Sequence, residues 1–418
     1  MGVYLSTANR EVEAEEGGGL GLEYAAGGVQ GWRKNMEDAH IAECDLRSAV
    51  PAAHIPTANV DMSLFAVFDG HGGKEVAKFC ETRFCEELVA LDKFKQGDYA
   101  GALTEAFHRM DIMLEDKKYE GELRKFRRIP NPSDKKAGAA TEQAKKGGKK
   151  VLNEQEAIKL FQRLMMQERQ KRNGGGAGVI ADDDNADAAE GPVEDMEDDE
   201  DDEPVQDYVP NPGPPSIRGR DGTFMCNLAD HRVNAGCTSV VVLRVGNKLI
   251  CANAGDSRAV LGRANGVAHP LSEDHKPSQE RERRRIEAAG GYINQVGRVN
   301  GNLNLTRSLG DLKYKQVPGV ARPDQIITGE PDITVTELKD DDEFLIVACD
   351  GVWDCLTSQG SVDFVRERLQ NGMNNRKIVE EVFDHCISDD PRKTQGIGGD
   401  NMTCIVVQLK DVGAHNRK

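Results

Sequence analysis

The sequence has no long apolar run and few aromatic residues. No stretch approaches the roughly 18 consecutive apolar residues that a membrane-spanning helix needs. The chain does not open with a charged segment followed by an apolar one, as a secretion signal does. Aromatic residues make up 5% of the 418 residues, against 30% for charged residues. These absences exclude a helical membrane protein and predict an intracellular one.

Cysteine is present, but not at the spacing of a zinc site. The ten cysteines include no C-x-x-C pair, and the nearest spacings are Cys80 with Cys85 and Cys349 with Cys355. Several, such as Cys404, lie inside apolar runs. The pattern predicts a reduced, intracellular protein without a structural zinc site.

Charge is distributed unevenly along the chain. Acidic residues outnumber basic ones by 71 to 54, which gives a net charge of −17. Fourteen of the acids lie in 182–203, a run without basic residues, so the rest of the chain carries only −3. A nearly neutral body predicts no direct role in nucleic-acid binding. The acidic run is either a solubilising linker or an arm that binds basic proteins.

Two stretches have the mixed apolar and polar pattern of a folded domain. Residues 20–120 and 221–411 are expected to form one discontinuous domain. Residues 121–220 between them are rich in Lys, Gly, Pro and acids, and they cannot bury enough apolar surface to offset chain entropy. This insert is therefore expected to be mostly disordered. Residues 1–19 are expected to be flexible, and 412–418 to form a tail.

Apolar periodicity predicts the main strands and helices. The run Leu64–Phe68 predicts a buried strand, and apolar residues every four positions after it predict two helices. Thr238–Val245 and Lys248–Ala254 predict two strands that are joined by a two-residue Gly-Asn turn. Three further strands are expected at Arg258–Leu261, Phe344–Cys349 and Met402–Leu409, and three further helices at Ser278–Ala289, Ser361–Leu369 and Lys377–Cys386.

An aspartate beside a glycine recurs at the end or start of four predicted strands. These residues are Asp69, Asp256, Asp350 and Asp400. A single Asp-Gly is most often a turn, but four such placements could converge on one edge of a sheet. Crowded carboxylates repel one another. Their natural partner is a hard divalent cation, Mg²⁺ or Mn²⁺, rather than zinc.

A fifth acidic element lies upstream, in the segment from Gln30 to Asp38. If this segment is extended, Arg33 and Glu37 point to the same face. An arginine beside a metal-binding carboxylate suits a phosphate group, because guanidinium binds phosphate through two parallel hydrogen bonds. An isolated Arg-x-x-x-Glu is more often a surface ion pair.

Eight short motifs are distributed over both folded stretches. They are Gly31-Trp32-Arg33-x-x-Met36-Glu37-Asp38, Phe68-Asp69-Gly70-His71-Gly72-Gly73, Gly236-Cys237-Thr238-Ser239, Ala254-Gly255-Asp256-Ser257-Arg258, Asp274-His275-Lys276-Pro277, Leu305-Thr306-Arg307-Ser308-Leu309-Gly310-Asp311, Ala348-Cys349-Asp350-Gly351-Val352-Trp353-Asp354 and Gly399-Asp400-Asn401-Met402-Thr403. Taken together and in this order, these motifs resemble the type 2C (PPM) metal-dependent Ser/Thr protein phosphatases. The methionine-glycine start and the long acidic insert are most similar to the gamma-type members.

The resemblance implies an α+β fold and a binuclear Mg²⁺ or Mn²⁺ centre. The expected fold is a four-layer α-β-β-α sandwich, with two central antiparallel sheets flanked by helices. The implied metal ligands are Asp69 as the bridge, Asp350 and Asp400 for the first ion, Glu37 and the carbonyl of Gly70 for the second, and Asp256 and Asp354 with Asp350 for a weaker third.

The resemblance also assigns the chemistry. Asp38 would orient a metal-bound water, Arg33 would hold the substrate phosphate, and His71 would protonate the leaving Ser or Thr oxygen. Two ions can lower the pKa of a bound water from 15.7 towards ~7. An imidazole with an ordinary pKa near ~6.5 can supply the proton that a poor alkoxide leaving group needs. No covalent nucleophile is then required.

Two alternatives stay open. Cys226-x5-Arg232 has the spacing of a cysteine-dependent phosphatase loop, but the loop lacks glycine and Met225 precedes the cysteine. The second alternative is a catalytically weak, phosphatase-like scaffold whose acidic arm binds basic proteins. A scaffold need not keep the metal ligands, whereas every side chain matched to a ligand here is an acid.

Location and partners are also predicted. Gly2 lies in a Met-Gly-x-x-x-Ser pattern that is typical of N-myristoylation, and one acyl chain gives only marginal, reversible membrane binding. Six lysines between Lys135 and Lys150 resemble a nuclear signal. We expect a monomer that is cytoplasmic, with a nuclear or membrane-associated pool. Its partners would be phosphoprotein substrates, and basic proteins that bind the 182–203 run.

Overall fold

The computed structural model describes residues 4–50, 60–128, 216–218 and 224–410. They belong to one compact unit that both halves of the chain build. The predictions for Gly2, for most of the 121–220 insert and for the 412–418 tail fall outside the described residues. All ten cysteines are described and are free thiols. Among the described helices, none has the length and apolar character to cross a membrane.

Two antiparallel β-sheets form the centre of the unit. The strands are β1 (Asn9–Gly19), β2 (Leu22–Gly31), β3 (Ala39–Glu43), β4 (Met62–His71), β5 (Ser216–Arg218), β6 (Phe224–Cys226), β7 (Gly236–Val245), β8 (Lys248–Ala254), β9 (Arg258–Arg263), β10 (Ala268–Pro270), β11 (Leu309–Gly310), β12 (Asp332–Glu337), β13 (Asp342–Ala348) and β14 (Met402–Leu409). The first sheet has the order β1-β2-β14-β13-β9-β10. The second has the order β12-β8-β7-β4-β3, with β11 paired to β7, and β5 pairs separately with β6.

The described residues form nine helices, and the four longest cover the outer faces of the two sheets. They are α1 (Leu46–Ala49), α2 (Glu75–Ala90), α3 (Asp92–Lys95), α4 (Tyr99–Glu115), α5 (Glu120–Arg127), α6 (Glu280–Ala288), α7 (Asp350–Trp353), α8 (Ser358–Gln370) and α9 (Asn375–Cys386), with 3-10 turns at Lys117–Tyr119, Leu312–Lys315 and Arg322–Asp324. Helices α2 and α4 pack on the second sheet, and α8 and α9 pack on the first. The predicted α-β-β-α order is confirmed.

The interior between the sheets is apolar because alternate residues of each strand point inward. Phe65 and Val67 of β4 meet Val347 of β13 and Ile405 of β14 in one fully buried cluster. Burial of such side chains stabilises the fold by about 1.5–3 kcal/mol each. A rigid double sheet therefore supports the loops at its ends.

The predicted hairpin is present. Strands β7 and β8 pair up to Val245 and Lys248, and the turn is Gly246-Asn247. Gly246 has a φ of +58°, a left-handed conformation that favours glycine.

The structure differs from two expectations about local structure, and it does not meet the condition that 30–38 is extended. Residues 1–19 are not all flexible, because 9–19 form strand β1, whose backbone pairs with β2 along its length. Most side chains of β1 are exposed, so the sequence has no alternating apolar pattern that predicts this edge strand. Helix α5 continues the folded domain beyond residue 120. The segment after β2 is a turn rather than an extended strand.

Candidate active site

A cleft of about 720 Å³ opens where strands of both sheets end. Its lining includes four of the predicted metal ligands and two of the predicted catalytic residues, together with one aspartate of the third-ion set. They are Glu37, Asp69, Asp350, Asp400, Arg33, His71 and Asp256. The backbone of Gly70 also lines the cleft. Sheet topology therefore brings together residues that lie more than 300 positions apart.

Each carboxylate comes from a different structural element. Asp69 is near the end of β4, Asp256 follows β8, Asp350 begins α7 and Asp400 precedes β14. Burial raises the pKa of Asp69 well above its ordinary value, and the charges of the neighbouring aspartates raise it further. The pKa of Asp350 is raised in the same way. Repulsion of this kind is relieved when a cation binds.

Two of these carboxylates contact basic side chains. Arg33 Nη2 lies 2.5 Å from Asp400 Oδ2, and Lys276 Nζ lies 2.5 Å from Asp256 Oδ2. Within the described ranges, no three acidic, histidine or cysteine side chains are already spaced as a complete set of metal ligands.

The donor atoms nevertheless fit a hard divalent cation. All the predicted ligands are carboxylate or carbonyl oxygens, which Mg²⁺ and Mn²⁺ prefer. Behind them lies Asp38, whose Oδ2 accepts a hydrogen bond from Thr403 Oγ1 at 2.8 Å. Its buried Oδ1 has no hydrogen-bond partner in the described part of the chain. Burial, together with the charge of Asp400, raises the pKa of Asp38 to about 7.

Two amide side chains fix the turn that carries Arg33 and Glu37. Gln30 Nε2 donates to the carbonyl of Arg33 at 2.9 Å. Asn401 Nδ2 donates to the carbonyls of Gln30 and Asn35, at 2.8 and 2.9 Å. The Glu37 N–H donates to Asn401 Oδ1 at 3.0 Å. Asn401 therefore ties the turn to the strand that follows Asp400.

Gly70 brings the backbone of β4 against the backbone of Glu37. A Cβ at position 70 would overlap the carbonyl oxygen of Glu37. The absence of a side chain is therefore what allows the predicted backbone ligand to lie beside the predicted carboxylate ligand.

His71 is paired with an aspartate to which the sequence analysis gave no role. His71 Nε2 lies 2.6 Å from Asp311 Oδ2. Burial alone lowers the pKa of His71, but the Asp311 carboxylate outweighs burial and raises this pKa to about 9. The imidazole is therefore held as imidazolium, the form that can donate a proton. The available signal was Asp311 itself, which ends a quoted motif and follows a glycine.

Hydrogen bonds from Ser308 and Lys315 fix the segment that carries Asp311. Asp311 accepts a hydrogen bond from Ser308 Oγ at 2.6 Å. Lys315 Nζ donates to the Ser308 carbonyl and to Asp111 Oδ2 of α4, both at 2.6 Å. The Lys315–Asp111 pair is buried, with each side chain 4% exposed. Removal of one partner would leave an uncompensated buried charge.

Three other predicted site residues do not line the described part of the cleft: Asp354, Cys226 and Arg232. Asp354 is exposed and is not among the described residues that line the cleft. Cys226 accepts a hydrogen bond from Asn300 at 3.7 Å, and Arg232 pairs with Glu120 at 2.6 Å. Neither Cys226 nor Arg232 is part of the described cleft lining, so the structure gives the cysteine-dependent loop no support.

Comparison with known proteins identifies the class. The family model "Protein phosphatase 2C" matches residues 22–126 and 220–394. The chain is 36% identical over 422 residues to probable protein phosphatase 2C 11 of Oryza sativa subsp. japonica, covering 100% of this chain and 93% of that one. It is 34% identical over 412 residues to protein phosphatase 2C homolog 3 of Schizosaccharomyces pombe, covering 98% and 70%.

Solved structures agree at the level of the fold. The crystal structure of a serine-threonine phosphatase 2C from Toxoplasma gondii matches with a TM-score of 0.53 and 15% identity, covering 97% of this chain and 98% of that one. The fold, the cleft and these relatives define a protein serine/threonine phosphatase. The chain belongs to the protein phosphatase 2C family, which confirms the resemblance found in the sequence.

Proposed function

We propose that this phosphatase hydrolyses phosphoserine and phosphothreonine in proteins by direct attack of water at a binuclear metal centre. The observation that carries the proposal is the convergence of carboxylates from four structural elements on one cleft, beside an imidazolium and a guanidinium. Phosphate monoesters hydrolyse extremely slowly in water, so the site must lower a very large barrier.

The residues that would hold two Mg²⁺ or Mn²⁺ ions are Asp69, Asp350 and Asp400, Glu37 and the carbonyl of Gly70. Bound ions would acidify a water and neutralise charge on the phosphate. Burial, and after it the charges of the neighbouring aspartates, raises the pKa values of Asp69 and Asp350. A bound cation would offset both effects, which supports this assignment.

Arg33 would hold the substrate phosphate. Its guanidinium lines the cleft beside Asp400, and the planar group can donate two parallel hydrogen bonds to phosphate oxygens. Asp38 would orient the attacking water through the carboxylate oxygen that has no hydrogen-bond partner among the described residues.

His71 would act as the general acid. As water adds to phosphorus, the bond from phosphorus to the Ser or Thr oxygen breaks. The imidazolium of His71 gives its proton to that oxygen, and inorganic phosphate leaves. Asp311 is a positioning residue here, since it holds the ring at 2.6 Å and keeps it protonated. General acid catalysis contributes about 10²–10⁴-fold to a rate.

Phosphate release from a phosphothreonine peptide tests the proposal. Purified protein would be assayed with Mn²⁺ or Mg²⁺, and with chelator, alongside Asp69→Ala and Asp350→Ala. Asp363→Ala, an exposed aspartate on α8, is the matched control, and circular dichroism checks the folding of each variant. Metal-dependent turnover that is lost only in the cleft variants supports the proposal. Folded, metal-loaded wild type without turnover on several peptides would favour the scaffold alternative instead.

Phosphoproteins are the substrates that this class implies. Binding of basic proteins by the 182–203 run, acylation of Gly2, monomeric state and cytoplasmic location stay predictions. The 182–203 run and Gly2 both lie outside the described residues.

A further inference from the structure

Lys276 places a cation beside the acids that the family resemblance assigns to a third metal ion. Its Nζ lies 2.5 Å from Asp256 Oδ2. Asp256 is only 2% exposed, so this contact takes place in a partly dehydrated environment. Charges interact more strongly there than at an open surface.

The backbone around Lys276 fixes its position. The N–H of the preceding residue, His275, donates to the Gly255 carbonyl at 2.8 Å, and His275 Nδ1 accepts from the Gly255 N–H at 3.1 Å. His275 is fully buried, and its Nε2 lies 3.1 Å from Asp332 Oδ2. Because Gly255 directly precedes Asp256, these bonds hold the lysine and the aspartate opposite each other.

All three acids of the predicted third site act on this one ammonium. Asp256, which the ammonium contacts, lines the same cleft as Asp350. Asp354 lies one helical turn after Asp350, and its N–H donates to the Asp350 carbonyl at 2.8 Å. The lysine thus offsets repulsion that a metal ion would otherwise have to offset.

We propose that Lys276 is a tethered cation that competes with metal for Asp256 and keeps the third metal site weak. The inference rests on the proposed two-metal centre. An incoming ion must displace the ammonium from Asp256, or share the carboxylate with it against the repulsion of two cations. The third ion then binds only at concentrations well above those that fill the first two sites. Without the lysine charge, it binds more tightly.

Mn²⁺ binding to metal-free, full-length protein tests this competition. Calorimetric titration, with electron paramagnetic resonance of free Mn²⁺ as a second measurement, gives the affinity of each step without reference to activity. Lys276→Met keeps the apolar stem and removes the charge. We expect its third step to tighten at least tenfold over wild type. Lys276→Gln, whose amide can still donate to Asp256, is the second neutral variant and should tighten this step too.

Three controls separate competition from a general effect of charge. Lys276→Arg keeps a cation and should bind metal as wild type does. Lys34→Met removes another lysine of the cleft, one that has no ion pair with a described residue, and should leave the third step unchanged. In the Lys276→Met/Asp256→Asn double variant the gain should disappear, because the contested carboxylate is gone.

The outcomes are distinguishable. A third step within twofold of wild type in a folded Lys276→Met or Lys276→Gln variant would overturn the role of Lys276. If wild type lacks two tighter steps, the two-metal centre itself is wrong. Thermal unfolding adds an independent measurement. Metal-free Lys276→Met should unfold at a lower temperature than metal-free wild type, and saturating Mn²⁺ should abolish this difference in unfolding temperature.

Discussion

Replacement of Asp311 by asparagine should separate proton donation from phosphate binding. Asp311 lies 2.6 Å from His71 Nε2 and raises the pKa of this imidazole from 6.5 to about 9. At pH 7.5 the imidazolium fraction would fall from about 97% to about 9% if the pKa returned to its ordinary value. Asp311 has a φ of +49°, a conformation that asparagine also tolerates, so the backbone need not change.

The expected result depends on the leaving group. Hydrolysis of a phosphothreonine peptide should slow by roughly 10–100-fold, because its alkoxide must be protonated as the bond breaks. An aryl phosphate with a good leaving group should slow less than about threefold, since it needs little proton transfer. The KM of both substrates should change little, because Arg33 and the metal ligands are intact.

The assay is kcat and KM for both substrates as a function of pH. In wild type, the protonated form persists as pH rises until it is lost near pH 9. In Asp311→Asn this loss should move to lower pH. Asp324→Asn, an exposed aspartate beyond the cleft, is the control. Equal losses on both substrates, or an unchanged peptide rate, would refute the assigned role of the His71–Asp311 pair.

Three further changes have defined outcomes. Glu282 is fully buried. Burial raises its pKa, but hydrogen bonds and charges from Arg307 and its neighbours outweigh burial and lower the pKa from 4.5 to about 2. Glu282→Gln should therefore lower the free energy of unfolding by about 3 kcal/mol at pH 7. A carboxylate whose pKa is lowered in the folded state stabilises the protein above the pKa of the unfolded state, and this stabilisation is lost as pH falls towards the folded-state pKa. In urea unfolding, the difference in unfolding free energy between wild type and Glu282→Gln should therefore be smaller at pH 3 than at pH 7. Gly236→Ala adds a Cβ that would overlap the His71–Asp311 pair. Like Asp311→Asn, it should slow hydrolysis of the phosphothreonine peptide more than hydrolysis of the aryl phosphate. Gly121→Ala, whose Cβ would meet open space, should slow neither. Asp350→Asn should abolish phosphate release yet raise the unfolding temperature of metal-free protein, because it removes one of several repelling charges; a lower unfolding temperature in chelator would contradict this.

Local patterns in the sequence predicted much of the fold. The β7–β8 hairpin was found because a two-residue turn between apolar runs is a short-range signal. The boundaries of β14 were also predicted, since every residue of the run 402–409 except Thr403 and Gln408 is apolar. β1 was missed because its side chains are mostly exposed and its stability comes from pairing with β2.

Part of the candidate site could be predicted from the sequence and part could not. Acids at strand ends could be predicted to converge, because strand ends of a sheet share an edge. The roles of Asp311 and Lys276 could not be predicted in this way, since neither residue lies at the end of a strand that the sequence predicts. Their contacts depend on how two loops pack, which no periodicity encodes. The assignment of Asp354 to a third ion stays a prediction: its motif matches, and its exposed side chain is not among the described residues that line the cleft.

Metal titration of a single protein sample tests the central claim most directly. Metal-free protein would be titrated with Mn²⁺ while bound metal and phosphate release from a phosphothreonine peptide are both measured. We predict that turnover appears as two ions bind, that chelator abolishes it, and that folded Asp69→Asn shows neither tight binding nor turnover. Turnover that persists in chelator, or in Asp69→Asn, would contradict a metal-dependent hydrolase built on this cleft.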